Sequence, residues 1–244
     1  AIEKRLGYDV SNDEHIVTEF NKECGKCHAS CGQCHISRPV SVNGGFIAGH
    51  NFNKEPDMKN NCTACHGSRV GAEYFGENEG IKADVHWIPN VKRCVFCHTA
   101  ESMHGSTAGA EHRYDDADMV RCEDCHESTK EANEFHTQHW GNLSCQVCHS
   151  QPYKNCNSCH TGGAGITGSS YIDFKIAKNY RKSDSRPYNI ITVRHIPISR
   201  DTYAAWGISD LPNYDSEPTW KYTTPHNIQK NTAQTAGANG CGEN

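Results

Sequence analysis

Seven copies of the pattern Cys-x-x-Cys-His lie between residues 24 and 160. Their cysteines are Cys24, Cys27, Cys31, Cys34, Cys62, Cys65, Cys94, Cys97, Cys122, Cys125, Cys145, Cys148, Cys156 and Cys159. Their histidines are His28, His35, His66, His98, His126, His149 and His160. Two thiols three residues apart can add to the two vinyl groups of one haem, and the next side chain then faces the iron as its proximal ligand. The pattern therefore predicts seven covalently bound heme c groups.

Zinc sites, redox disulfides and thioredoxin-like motifs also use paired cysteines. None of them needs a histidine directly after the second cysteine of every pair. With 16 His in 244 residues, seven such coincidences have odds on the order of 10⁻⁸. Through these seven motifs the chain resembles the multihaem c-type cytochromes. This resemblance implies electron transfer. It also implies a periplasmic, cell-surface or extracellular location, because c-type haem is attached outside the cytoplasm.

The sixth ligand of each iron decides what a haem can do. Methionine raises the reduction potential, an empty position admits substrate, and a second histidine restricts the iron to electron transfer. The chain has 3 Met but nine histidines outside the motifs, so we expect two histidine ligands on every iron and no catalytic residue. The stronger distal candidates lie between motifs and are His50, His86, His104, His112, His136 and His139. The weaker candidates are His15, His195 and His226.

The apolar content is low for a chain of this length. Leu, Ile, Val and Phe together make up 36 of 244 residues, about 15%, where less than roughly 20% is typical of disorder when the net charge is high. The net charge is only −5, so we expect the haems to supply the core that side chains do not. The predicted fold is mostly irregular, with short helices wrapped around a haem chain. A haem-binding region, 1–160, would precede a motif-free region, 161–244.

We expect each motif to begin a short helix. A short helix is also expected in the N-terminal segment, where Ile16, Val17 and Phe20 have helical spacing beside His15. The segment Glu127 to Trp140 is also predicted to be a helix, with His136 and His139 three residues apart on one face. The double motif Cys24–His35 brings two proximal histidines within seven residues, which predicts a tightly apposed haem pair.

A β-hairpin is predicted in the C-terminal region. Ile172, Phe174 and Ile176 alternate with polar residues in a period-two pattern. The run from Tyr188 to Ile198 is rich in β-branched residues. His195 lies an even number of residues from the apolar positions of the second strand, and so on the same face. The buried face of the hairpin could therefore bring it to an iron. The C-terminal region is expected to pack on haems or on a neighbouring subunit.

Nothing in the sequence favours nucleic-acid binding, and no run of 18 apolar residues predicts a membrane span. The start at Ala1-Ile-Glu resembles a processed mature terminus. Cys241 is the fifteenth cysteine and would be a free thiol or half of an intermolecular disulfide. It is alternatively the remnant of an eighth haem site, or the start of one if the chain continues beyond Asn244, with His226 as a distal partner.

Two classes of function follow from these observations. Histidines near both termini could complete haems in neighbouring copies, an architecture similar to that of extracellular filament-forming cytochromes, where the contact is head-to-tail and open-ended. Alternatively, the chain is an enzyme similar to hydroxylamine oxidoreductase or octahaem tetrathionate reductase, which keep one iron open. It lacks the Cys-x-x-Cys-Lys variant that marks some of the active haems in such enzymes. A periplasmic shuttle to a partner reductase shares the bis-histidine chemistry. The expected partners are other copies of the chain, redox proteins or extracellular acceptors.

Overall fold

The structure is a computed structural model that describes residues 2–23, 55–104, 119–155 and 170–236. Three of the seven motifs lie outside these ranges, namely the two within Cys24–His35 and the one at Cys156–His160. His50, His112 and Cys241 also lie outside them. The predicted region boundary at residue 160 lies outside them too and stays a prediction.

Short helices account for most of the regular structure. The α-helices are α1 (Ile2–Leu6), α2 (Glu14–Glu23), α3 (Thr63–His66), α4 (Ala72–Phe75), α5 (Cys94–Cys97), α6 (Ala100–His104), α7 (Glu123–His126), α8 (Glu134–His139) and α9 (Cys145–His149). Met58–Cys62 and Gly67–Gly71 are π-helical, and Glu127–Thr129 and Ala204–Trp206 form 3₁₀ turns. Within the described ranges, none of the helices has the length and apolar character needed to cross a membrane.

The strands form two small sheets. β1 (Tyr153–Asn155) pairs with β2 (Tyr171–Asp173), and β3 (Ile176–Lys178), β4 (Ile190–His195) and β5 (Trp220–Tyr222) form a second sheet in that order. The coarse expectation of short helices and a C-terminal hairpin is confirmed, because β3 and β4 are antiparallel with Ile176 opposite Thr192 and Lys178 opposite Ile190.

The predicted first strand of the hairpin is divided between the two sheets. Residues 171–173 belong to β2 and residues 176–178 to β3. The intervening Lys175 carbonyl accepts hydrogen bonds from the Val193 amide at 2.9 Å and from the Tyr153 hydroxyl at 2.9 Å. Both faces of β4 are buried, since Thr192 is as inaccessible as its apolar neighbour Ile191. A strand that is buried on both faces does not show the alternation of apolar and polar residues that is typical of a half-exposed strand.

The segment predicted as one helix from Glu127 to Trp140 is interrupted. A 3₁₀ turn ends at Thr129, and α8 begins at Glu134 after Asn133, whose backbone is extended. The Asn133 side chain accepts a hydrogen bond from the His136 amide at 2.9 Å. Asn133 is therefore an N-cap, which starts a helix rather than continuing one. His136 and His139 remain together in α8.

α2 forms where the N-terminal segment was predicted to be helical. The Asp13 carboxylate accepts from the Ile16 amide at 3.1 Å and caps the helix. Of the three apolar side chains that gave the helical spacing, only Ile16 is buried, whereas Val17 and Phe20 are each 37% exposed. α2 therefore has a narrow apolar face.

The chain divides into two compact units. The first comprises Ala1–Arg69, Lys154–Ile172 and Arg194–Lys221, and the second comprises Val70–Tyr153, Asp173–Val193 and Tyr222–Asn244. Across the described residues, the buried side chains include ten apolar ones and sixteen polar or charged ones. The described part of the polypeptide therefore has little apolar core of its own, although the expectation that haem supplies the remainder stays a prediction.

Candidate functional site

The four described motifs share one local geometry. The helices α5 and α9 contain both cysteines of their motifs, whereas α3 and α7 begin just after the first cysteine, which is their N-cap residue. The histidine is the last residue of α3, α7 and α9, and His98 comes just after α5. Residues three apart on a helix lie on one side, so the two thiols of each motif face the same way. None of these eight cysteines forms a disulfide, which leaves their sulfur atoms for thioether bonds.

Three of the motif histidines lie beside histidines from outside the motifs, all within the second unit. The pairs, with the distance between ring centroids, are His86 with His126 at 6.1 Å, His98 with His226 at 6.3 Å, and His136 with His149 at 5.9 Å. The members of two pairs are 40 and 128 residues apart in the sequence, whereas His136 and His149 are 13 residues apart. Each pair contains one motif histidine and one predicted distal candidate.

This separation matches what one iron atom between two imidazoles requires. A metal–imidazole nitrogen bond is about 2.0 Å long, so two such bonds on opposite sides of one metal, lengthened by the rings themselves, put the ring centroids roughly 6 Å apart. Direct ring stacking also occurs at 4.5–7 Å, so the distance alone does not distinguish the two arrangements. The composition of the pairs does favour axial ligation, because contacts between rings have no reason to select one motif histidine each time.

Hydrogen bonds at the other ring nitrogen orient four of these six imidazoles. In each of the four, Nδ1–H donates to a backbone carbonyl or a carboxylate, and a metal-ligating histidine typically makes such a bond. Nε2 is then the nitrogen left for an iron. The histidines and their acceptors are His86 with Asp84 at 2.7 Å, His136 with Thr129 at 2.8 Å, His149 with Gln229 at 3.2 Å and His226 with Thr224 at 2.9 Å.

Two of these environments shift a histidine pKa in opposite directions. The hydrogen bond from Nδ1 to the Asp84 carboxylate raises the pKa of His86 because it favours the protonated ring. Burial lowers the pKa of His149, since a charged imidazolium would lose its hydration. His149 is thus held neutral, which is the form that binds metals.

The C-terminal segment that bears His226 is fixed by two buried carboxylates. The His226 amide donates to Glu73 at 2.9 Å, and the Ile228 amide donates to Asp84 at 2.8 Å. Glu73 is fully buried and Asp84 is 2% exposed. Sequence reasoning missed both residues, because single carboxylates without a motif carry no distinguishing signal.

The remaining described candidates have other surroundings. His15 is exposed, and its Nε2 donates to the Trp206 carbonyl at 2.6 Å. His195 stacks on Trp220 with ring centroids 4.7 Å apart, and burial lowers its pKa. His104 is exposed at the end of α6, and His139 lies in α8, partly exposed.

Two motifs approach each other at their first cysteines. The thiols of Cys122 and Cys145 form a hydrogen bond that lowers the pKa of Cys122 and raises that of Cys145. The Gln146 amide also donates to the Cys122 sulfur at 3.7 Å. The attachment points that these two motifs would offer to their haems therefore lie close together.

Exposed apolar side chains surround one of the motifs in the sequence. Ile88, Val91, Phe96 and Met103 are each more than half exposed, and they flank or belong to the motif Cys94–His98. Soluble proteins rarely leave large contiguous apolar patches uncovered. Such side chains could pack against the apolar macrocycle of a haem, so the residues of this site fit the group that the motif implies.

Among the described residues, no group of three or more His, Cys, Asp or Glu side chains is arranged to hold a metal ion. A haem iron needs only two protein ligands, because the macrocycle provides the other four. Comparisons of the chain with protein-family models, with curated proteins and with solved structures find no match.

Proposed function

We propose that the chain is a multihaem c-type cytochrome that passes electrons along a series of heme c groups, each iron held by two histidines. The observation that carries the proposal is the set of three histidine pairs, His86–His126, His98–His226 and His136–His149, at ring separations of 5.9–6.3 Å. Seven motifs make seven haems the expected number. The motifs outside the described residues enter this count from the sequence alone.

The haem supplies one-electron redox chemistry when bound. The side chains of the chain anchor it, orient it and control access to it. Helices such as α5 and α9 present the two thiols on one side. The paired histidines would hold the iron between them and leave no place for an exogenous ligand, and the Nδ1 hydrogen bonds hold the rings in place.

Spectroscopy of the native protein tests this proposal. We expect absorption and EPR spectra of low-spin haem only, and no change when carbon monoxide is added to the reduced protein, because no iron has an open position. An intact mass seven haems above that of the polypeptide is the second expected result. A mass equal to that of the bare polypeptide would overturn the proposal.

One observation favours the enzyme alternative. In the first unit, the Nε2 atom of His15 is bonded to a carbonyl and His195 is stacked on Trp220, so these two candidates are engaged away from an iron. With His15 and His195 set aside, seven of the nine candidate histidines remain for seven irons, so one further histidine engaged elsewhere would leave an iron open. A high-spin haem in the native protein that binds carbon monoxide would favour the enzyme.

The location and assembly of the protein are further parts of the proposal. A cytochrome of this type would be exported, to the periplasm, the cell surface or the extracellular space. It would deliver electrons to redox proteins or extracellular acceptors, or polymerise head-to-tail into a filament with a continuous haem chain.

A further inference from the structure

The Asp84 carboxylate touches two of the candidate haem sites. Its Oδ1 atom accepts from the His86 amide at 2.8 Å and lies 2.7 Å from His86 Nδ1. Its Oδ2 atom accepts from the Ile228 amide at 2.8 Å. Asp84 is 2% exposed, so these three contacts replace the water that a carboxylate would otherwise bind.

The two oxygen atoms of this carboxylate therefore contact segments that belong to different histidine pairs. His86 pairs with His126, whereas Ile228 lies two residues after His226, which pairs with His98. A carboxylate that accepts from Nδ1–H fixes the tautomer of a ligating histidine and increases the basicity of the nitrogen that faces the metal. A more basic ligand stabilises the oxidised iron and lowers the reduction potential.

We propose that Asp84 is a positioning residue that orients His86, lowers the potential of the haem held by His86 and His126, and fixes the segment that carries His226 to its neighbour. This inference rests on the proposed function and adds a rank order of the haem reduction potentials. Of the three paired haems, the one held by His86 has a carboxylate behind its ligand, whereas Nδ1 of the other non-motif ligands faces a backbone carbonyl.

The experiment compares redox titrations of the native holoprotein and of Asp84→Asn. The signal of the His86 haem is first assigned as the one that changes in His86→Met. An asparagine has one acceptor and one donor where Asp84 has two acceptors, so at least one of its contacts is lost. We expect the reduction potential of the assigned haem to rise by about 59 mV, which corresponds to a tenfold change in a one-electron reduction equilibrium.

Two variants serve as controls. Asp173→Asn removes the same charge from a carboxylate that contacts Lys175 and the Phe174 amide, and we expect no shift of the assigned signal. Asp84→Glu keeps a carboxylate and should shift only that signal, by less, which keeps the test available if Asp84→Asn does not fold. Unchanged potentials in haem-loaded Asp84 variants, or equal shifts in Asp173→Asn, would overturn the inference. Haem-free native protein would instead overturn the proposed function.

Discussion

His226 shows how a single residue can be tested as an iron ligand. Its ring lies 6.3 Å from that of His98, so His226→Met should exchange a histidine ligand for a methionine on the haem at Cys94–His98. Methionine favours reduced iron, and we expect one haem potential to rise by at least about 59 mV, a tenfold change in the reduction equilibrium. A spectroelectrochemical titration measures it.

His15→Met provides a matched control, because the Nε2 atom of His15 already donates to the Trp206 carbonyl. The same exchange of side chains there should leave every potential unchanged. A shift in His15→Met, or none in His226→Met, would show that the pairing of rings in the chain does not correspond to ligation.

A buried hydrogen bond stabilises the motif Cys122–His126. The Tyr188 hydroxyl lies 2.7 and 2.8 Å from the two carboxylate oxygens of Glu123, and both side chains are buried. Burial and the adjacent carboxylate raise the pKa of Tyr188, so the phenol stays protonated and donates. Tyr188→Phe leaves a buried carboxylate without this donor and should lower the free energy of unfolding by about 1–3 kcal/mol.

Chemical denaturation of the holoprotein measures this loss. Tyr8→Phe is the control, since Tyr8 is half exposed and its hydroxyl meets Asp13 only at 3.5 Å. We expect the control to change stability by less than about 0.5 kcal/mol. Equal effects of the two substitutions would contradict the role assigned to the buried hydrogen bond.

Among the secondary-structure elements, those next to a local signal were predictable. The motifs predicted short helices, and the hairpin followed from β-branched runs, because both depend on neighbours in the sequence. The interruption at Asn133 was missed, since an N-cap inside an apolar pattern competes with helix continuation. Which histidine faces which motif depends on contacts between distant segments, and so His226, far beyond the last motif, was ranked below His104.

The central position of β4 predicts that its buried side chains contribute more to stability than those of the neighbouring β3. Ile191 is fully buried in β4, whereas Ile176 in the neighbouring β3 is 51% exposed. Ile191→Ala should create a cavity and destabilise the fold by about 2–5 kcal/mol. Ile176→Ala removes the same atoms from a solvent-facing position, so its effect on the denaturation midpoint should be much smaller. Comparable losses would mean that β4 is not the core strand of its sheet.

For the whole molecule, the proposed filament is a question of mass action. A head-to-tail contact does not close on itself, so chain length should increase with protein concentration. Electron micrographs of the native holoprotein at high concentration should show filaments, and dilution should shorten them. Monomers at every concentration would contradict polymerisation and leave a soluble carrier as the form of the proposed cytochrome.

The strongest whole-molecule prediction concerns removal of the cofactor. Polar side chains outnumber apolar ones among the buried side chains of the described residues, and the net charge of −5 is too small to explain this scarcity as charge-driven disorder. Folding must offset about 1–2 kcal/mol of backbone entropy per residue. With so few buried apolar groups, the polypeptide cannot do this by hydrophobic burial alone.

The haem-free chain, made where haem is not attached, should therefore be unfolded. Far-ultraviolet circular dichroism should show loss of the helical signal, and proteolysis should cleave the chain throughout. The haem-loaded protein in the same buffer is the control and should resist both. A native-like spectrum with a cooperative thermal transition in the haem-free chain would show that these helices and sheets are stable by themselves. The apolar macrocycles would then not be needed as a core.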